Sequence, residues 1–238
     1  MKYLFKCTIK LSLVLAFLLV GYGLKAQIGL GVSAGTNINQ LNSPGVYMGA
    51  NIGAFASYDI LFLNARAGVS YNQLGGARPN YFDQPPGLNV VTEYVDRQVI
   101  FHNIEVPIYV NIYFPGMEEA EIKPRLTVGF AYGFNMSAIE RRDLRQTFGN
   151  PVTGVDTYAV FSDDKENVRS DYVNHHFDFL GGFGVDFNLE EDRKGYLEVI
   201  YRQGLNQMNN VGFGRIGNVG DVYTNSIMLN FGMTIFNL

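Results

Sequence analysis

The chain has 238 residues, enough for one sizeable domain, and its 18 basic against 22 acidic residues exclude a basic surface for nucleic acid. A single cysteine, Cys7, excludes a disulfide framework and any metal site built on several thiolates. Glycine is abundant at 27, Phe and Tyr number 18 and 15, and tryptophan is absent.

Lys2, Lys6 and Lys10 precede an almost unbroken apolar run over 11–20, and Leu24-Lys25-Ala26 leads to Gln27. This is the pattern of a secretory signal peptide, expected at 1–26 with cleavage after Ala26. The competing reading is a membrane anchor, but about ten apolar residues fall short of the roughly 20 a spanning helix needs. Cys7 lies inside this segment, so the mature chain, 27–238, would hold no thiol. Loss of Lys2, Lys6, Lys10 and Lys25 would leave it more acidic, at a net charge of about −8. No later stretch is apolar enough for a spanning helix.

Eight segments with a period of two follow, each with one apolar and one polar or small face, as β-strands require. The first, 28–38, places Ile28, Leu30, Val32, Ala34 and Ile38 together, with Gly29, Gly31, Ser33 and Asn37 opposite. A short turn over 39–45 leads to the second at 46–58, and the third, 61–71, follows almost at once. Residues 73–97, with Pro79, Pro85 and Pro86, are expected as a long loop. The fourth strand, 102–114, alternates most cleanly: Ile104, Val106, Ile108, Val110 and Ile112 against Asn103, Glu105, Tyr109 and Asn111. The fifth is 124–136, followed by the longest expected loop at 137–171. The sixth is 172–189, with a charged turn at 190–194, and the seventh is 196–205. A Gly/Asn-rich loop over 206–222 precedes the last, which carries Ile227, Leu229, Phe231, Met233 and Ile235.

Connections after strands two, four and six are short, and those after three, five and seven are long. That alternation, with the leader, favours an all-β, eight-stranded antiparallel up-and-down transmembrane β-barrel over a secreted β-sandwich. The lipid bilayer is then the first partner, and an even strand number brings both termini to the periplasmic side. Eight strands enclose a lumen that side chains can fill. Glycines are expected there beside Phe55, Phe62, Phe101, Tyr109 and Tyr113. Arg66, Glu105, Arg125, Asp178, Asp186, Glu198 and Arg202 share that face and should pair, because an unpaired buried charge is costly. Arg66 with Glu105, and Arg202 with Asp178, are the expected pairs; a translocation path is the alternative.

Other candidate sites have plainer readings. His102, His175 and His176 are the only histidines, and a barrel hydrolase could use one as general base with Ser70 or Ser137 as nucleophile. No spacing supports that chemistry. Asp163-Asp164-Lys165-Glu166 lacks the glycine and ligand spacing of a calcium loop and reads as a solvated charge run. Gly212-Phe213-Gly214 has no following helix and is no phosphate cradle. No catalytic, cofactor-binding or metal residue is therefore assigned, and no enzymatic activity is expected.

Four segments in order resemble one family. Ile104-Glu105-Val106-Pro107 is similar to the L-E-I-P strand of the PorT-like outer-membrane barrels. Lys123-Pro124-Arg125-Leu126-Thr127-Val128-Gly129 is similar to their K-P-Y-x-x-x-G strand, with Arg125 at the usual aromatic. Phe177-Asp178-Phe179 with Gly182-Phe183-Gly184-Val185 resembles the D-x-x-x-x-G-x-G strand, and Tyr201-Arg202-Gln203-Gly204-Leu205 the Y-x-x-G-L strand end. The closing Ile235-Phe236-Asn237-Leu238 departs from the pattern by lacking a terminal aromatic. The resemblance implies an eight-stranded Bacteroidota-type outer-membrane barrel and, through the family's named member, an accessory role in type IX protein secretion. The long loops at 73–97, 137–171 and 206–222 are instead expected to serve a non-enzymatic structural or surface-binding role.

Overall fold

A computed structural model describes residues 28–41, 45–60, 62–83, 90–117, 120–149, 156–190, 193–209 and 222–237. The expected leader at 1–26, its cleavage point and Gly212-Phe213-Gly214 lie outside the described residues.

Ten strands form in chain order: β1 (Ile28–Leu41), β2 (Val46–Ile60), β3 (Leu63–Ala77), β4 (Tyr81–Asp83) and β5 (Val90–Tyr113), then β6 (Ile122–Gly149), β7 (Asp156–Asn167), β8 (His175–Glu190), β9 (Arg193–Gly204) and β10 (Thr224–Asn237). Eight of them close an antiparallel ring in the order β1-β2-β3-β5-β6-β8-β9-β10, sealed where β1 pairs with β10 from Gly29↔Asn237 to Leu41↔Thr224. Closure leaves the ring no open edge, which is what backbone amides in hydrocarbon require.

The alternation read from sequence is the alternation observed. On β6, Leu126, Val128, Phe130, Tyr132, Phe134 and Met136 all point outward and are 39–58% exposed. Eleven residues at about 3.4 Å each, tilted by about 40°, give a belt roughly 25–30 Å tall, the height of an outer-membrane barrel's apolar band. A soluble monomer does not expose a continuous apolar surface of that extent.

Two expected loops are largely strand. Residues 73–97 continue β3 to Ala77, add β4, and begin β5 at Val90. Residues 137–171 continue β6 to Gly149 and fold back as β7. The ladder β5–β6 therefore runs from Val90↔Phe148 down to Tyr113↔Arg125, well past the apolar belt. The sequence hid this because the extension has no consistently apolar face. Its pairing is carried by backbone bonds and cross-strand charges, such as Arg97 Nε to Glu140 Oε1 at 2.7 Å. Short connections at the opposite end, β2–β3, β5–β6 and β8–β9, match expectation.

Candidate functional site

Charged, aromatic and hydroxyl side chains converge in the lumen, where strand parity puts them. It is built in layers. Farthest from the chain ends lies an apolar lid of Leu41, Leu74, Val99, Phe101, Tyr172 and Met208, all buried, with Phe101 and Tyr172 rings edge-on at 4.7 Å. Tyr172 reaches it from the segment after β7, where a 3-10 turn (Arg169–Asp171) folds back under the hairpins. Burial pushes its phenol up to about 12, against a smaller opposing pull from Arg78.

Below the lid is the first charged layer. Arg202 Nη2 lies 2.5 Å from Glu105 Oε2 and 2.9 Å from Asp178 Oδ2. His176 Nε2 is 3.2 Å from Glu105 Oε1 and 3.4 Å from Asp178 Oδ2. Glu105, His176 and Asp178 form the one cluster among the described residues with the composition of a metal site. The guanidinium of Arg202 already stands against both carboxylates and supplies the positive charge a cation would bring.

An apolar layer follows, made by Tyr109, Ala131, Leu180, Ile200 and Met228. The second charged layer lies beyond it. Arg66 Nη2 is 2.7 Å from Glu198 Oε2, Arg125 Nη2 is 2.8 Å from the same oxygen, and Arg125 Nε is 2.7 Å from Asp186 Oδ1. The Arg66 guanidinium also sits 4.4 Å from the Tyr196 ring and 4.6 Å from that of Tyr109, which adds cation–π attraction.

Every charge assigned to the lumen is there, and the pair Arg202–Asp178 is formed as expected. Arg66 and Glu105 do not pair. Arg66 stands opposite Tyr109 and Glu105 opposite Ser70, four residues apart on β5, or about 13 Å at strand rise. Each finds its partner across the narrow lumen instead of on the neighbouring strand. Phe62 also departs from expectation: it sits in the β2–β3 turn, 49% exposed, because β3 begins only at Leu63. His176 joins the first layer, a role its sequence context did not signal.

Among the described residues the cavities inside the ring are small. One cavity of about 40 Å³ lies between the charged layers, and one of about 30 Å³ lies below Arg66 and Arg125. Each has room for only a few waters. A third, of about 230 Å³, opens at the end bearing the β2–β3 and β5–β6 turns.

Of the histidines and serines considered for a hydrolase, His176 is held by Glu105 and Asp178, and Ser70 stands opposite Glu105 on the neighbouring strand. His102 bonds the Tyr71 hydroxyl through Nδ1 at 2.5 Å, and Ser137 lies opposite it on β6, with no carboxylate among the described residues bonded to the imidazole. Ser70 lines the lumen cavity on the other face of the wall. His175 bonds the Tyr132 hydroxyl at 2.7 Å on the outer surface. Nor are the acids of 163–166 simply solvated: Arg142 holds Asp164 at 2.9 Å and Glu166 at 2.6 Å, because β6 and β7 pair Arg142 with Asp164 in register.

Solved structures similar to this fold include Neisserial surface protein A, at 14% identity and a TM-score of 0.44, covering 88% of this chain and 99% of that one. A major outer membrane protein from Thermus thermophilus gives 10% and 0.42, with coverage of 89% and 99%. The outer membrane enzyme PagL gives 14% and 0.40, with coverage of 86% and 99%. None of the curated proteins matches the sequence. Residues 23–210 match the outer membrane protein beta-barrel domain, well over half of the chain, and the protein belongs to that family of outer-membrane β-barrels.

Proposed function

We propose that this barrel is a non-enzymatic, non-conducting outer-membrane protein that presents its β4–β5–β6–β7 sheet outside the cell for surface binding. The observation that carries the reading is the combination of a filled lumen with strands that continue past the membrane. Two charged layers, an apolar layer and a lid leave cavities of about 40 and 30 Å³, while β6 extends 13 residues beyond its last belt residue, Met136. The short turns and both ends of the ring then face the periplasm. Impermeant maleimide on intact cells should label Lys165→Cys on β7, and label Met117→Cys in the β5–β6 turn only after the membrane is permeabilised. The opposite pattern would invert the orientation.

A second reading, an accessory role in type IX secretion, is favoured by the four PorT-like strand motifs. A filled barrel cannot pass a folded cargo, so that role would act through contacts with other components. The decisive experiment deletes the gene and restores either the intact chain or one with residues 141–166 replaced by a short turn. Lost surface adherence with normal cargo export supports the binding role. Cargo trapped in the periplasm and released by the intact chain would overturn it.

A further inference from the structure

Under the lid, buried polar atoms collect that no protein group satisfies. Asn103 on β5 and Asn135 on β6 stand opposite each other and are 0% exposed, yet neither atom of either carboxamide has a hydrogen-bond partner among the described residues. In the first charged layer, His176 Nδ1, Asp178 Oδ1 and Arg202 Nη1 are left over in the same way. So are Thr224 Oγ1 and Ser226 Oγ on β10 and Asn37 Oδ1 on β1. All of these side chains are at most 3% exposed.

Strand register holds them at one height. Leu41 of the lid pairs with Thr224, and Ser226, two residues on, pairs with Arg202. Gly133, two residues from Asn135, pairs with both Glu105 and His176. Of the fourteen side-chain atoms buried without a partner among the described residues, ten lie in this layer. A polar atom held dry keeps the cost of the water it lost, and ten such costs in one layer rival the whole net stability of a domain. Something polar therefore stands among them.

We propose that this layer binds a cluster of about three or four ordered waters, each making about three hydrogen bonds, that links the two carboxamides to the β10 hydroxyls and to His176, Asp178 and Arg202. Three observations select water. The atoms are mixed in kind: amide and guanidinium nitrogens donate, amide and carboxylate oxygens accept, and hydroxyls do either, so the occupant must do both on every side. The layer is closed by the lid above and by Tyr109, Leu180, Ile200 and Met228 below. The cavity that borders Arg202, at about 40 Å³, has room for a few waters only. Charge disfavours an ion: an anion would face Glu105 and Asp178, and a cation would stand against the Arg202 guanidinium bonded to both. This site goes beyond the surface-binding reading and does not depend on it.

The test uses the whole barrel in deuterated detergent, with water itself as the probe. Dipolar cross-peaks between water and the carboxamide protons of Asn103 and Asn135 should appear in nuclear Overhauser spectra, with the sign of water held longer than the molecule tumbles. The backbone amide of Ile108, in the middle of the outer belt, should show none. In Asn135→Leu the cross-peak at Asn103 should be lost, because the leucine displaces the water that the two amides share. Ser226→Ala, which should weaken the same cross-peak, is the milder variant if Asn135→Leu does not fold. Carboxamides that see no water in the native barrel would overturn the proposal, and so would a cross-peak at Asn103 that is unchanged in the variant that folds. A crystal structure of the native barrel supplies the second measurement. About three water peaks within hydrogen-bond distance of these atoms are expected; a direct Asn103–Asn135 bond, a metal ion or a larger solute in their place would overturn the assignment.

Discussion

Glu198 is the residue on which the second charged layer turns. Both of its oxygens accept from Arg66, Oε2 also from Arg125, and Oε1 from Asn230 Nδ2 at 3.3 Å. Glu198→Gln keeps the volume but leaves two buried guanidinium groups short of a counter-charge, so stability should fall by about 3–5 kcal/mol. Asp164→Asn breaks a pair whose acid is 40% exposed, and its cost should stay below about 1 kcal/mol. Urea midpoints of the heat-modifiable band in detergent measure both; equal losses would mean that the lumen charges are hydrated and independent. Tyr172 makes a separate pH prediction. Its buried phenol holds its proton more tightly than an exposed one near 10, so the lid's stability is full below about pH 10 and is lost as pH rises through about 12. Protease nicking near residues 168–172 should rise over that window in the native chain, and Tyr172→Phe should abolish the alkaline step.

At the scale of strands, closure depends on small residues facing large ones. A side chain at Gly133 on β6 would meet the His176 imidazole on β8, and one at Gly232 would meet the Tyr196 ring. His176 cannot swing aside, since Glu105 and Asp178 hold its Nε2 from two directions. Gly133→Ala should therefore slow or prevent formation of the heat-modifiable barrel. Gly181→Ala should be tolerated, because the added carbon meets only the Phe179 ring at an ordinary 3.4 Å. The mixture of glycine and aromatic residues on one parity made this filling legible from sequence, as the 2-residue period of 104–112 and 126–136 made the wall legible. What sequence could not supply was reach across the lumen. Arg66 lies on β3 and Glu198 on β9, and parity places both inside without saying which levels coincide; strand tilt and stagger decide that. The extension is hidden in the sequence for a related reason. Arg97, Glu140 and Arg142 look like loop chemistry until the register brings them into contact, and only then do their strands appear.

For the molecule as a whole, the layers predict an electrical seal. An ion entering from the turn-bearing end meets Arg125–Glu198–Arg66 first, then the Tyr109–Leu180–Met228 apolar layer, then Arg202 with its two acids, and finally the lid. Passage would require parting at least two buried ion-pair sets and wetting two apolar layers, each a barrier of several kcal/mol. Cavities of about 40 and 30 Å³ offer at most a few waters as replacement ligands. Purified protein in planar bilayers should therefore give no stable conductance steps. Removing the lid contact with Tyr172→Ala should leave the bilayer silent as well, because both charged layers stay intact beneath it. Steps from Tyr172→Ala alone would make the lid the seal and the charged layers permeable. Porin-like steps from the native chain would show that the interior opens in the membrane, and the reading of a closed scaffold for an external sheet would fall with it.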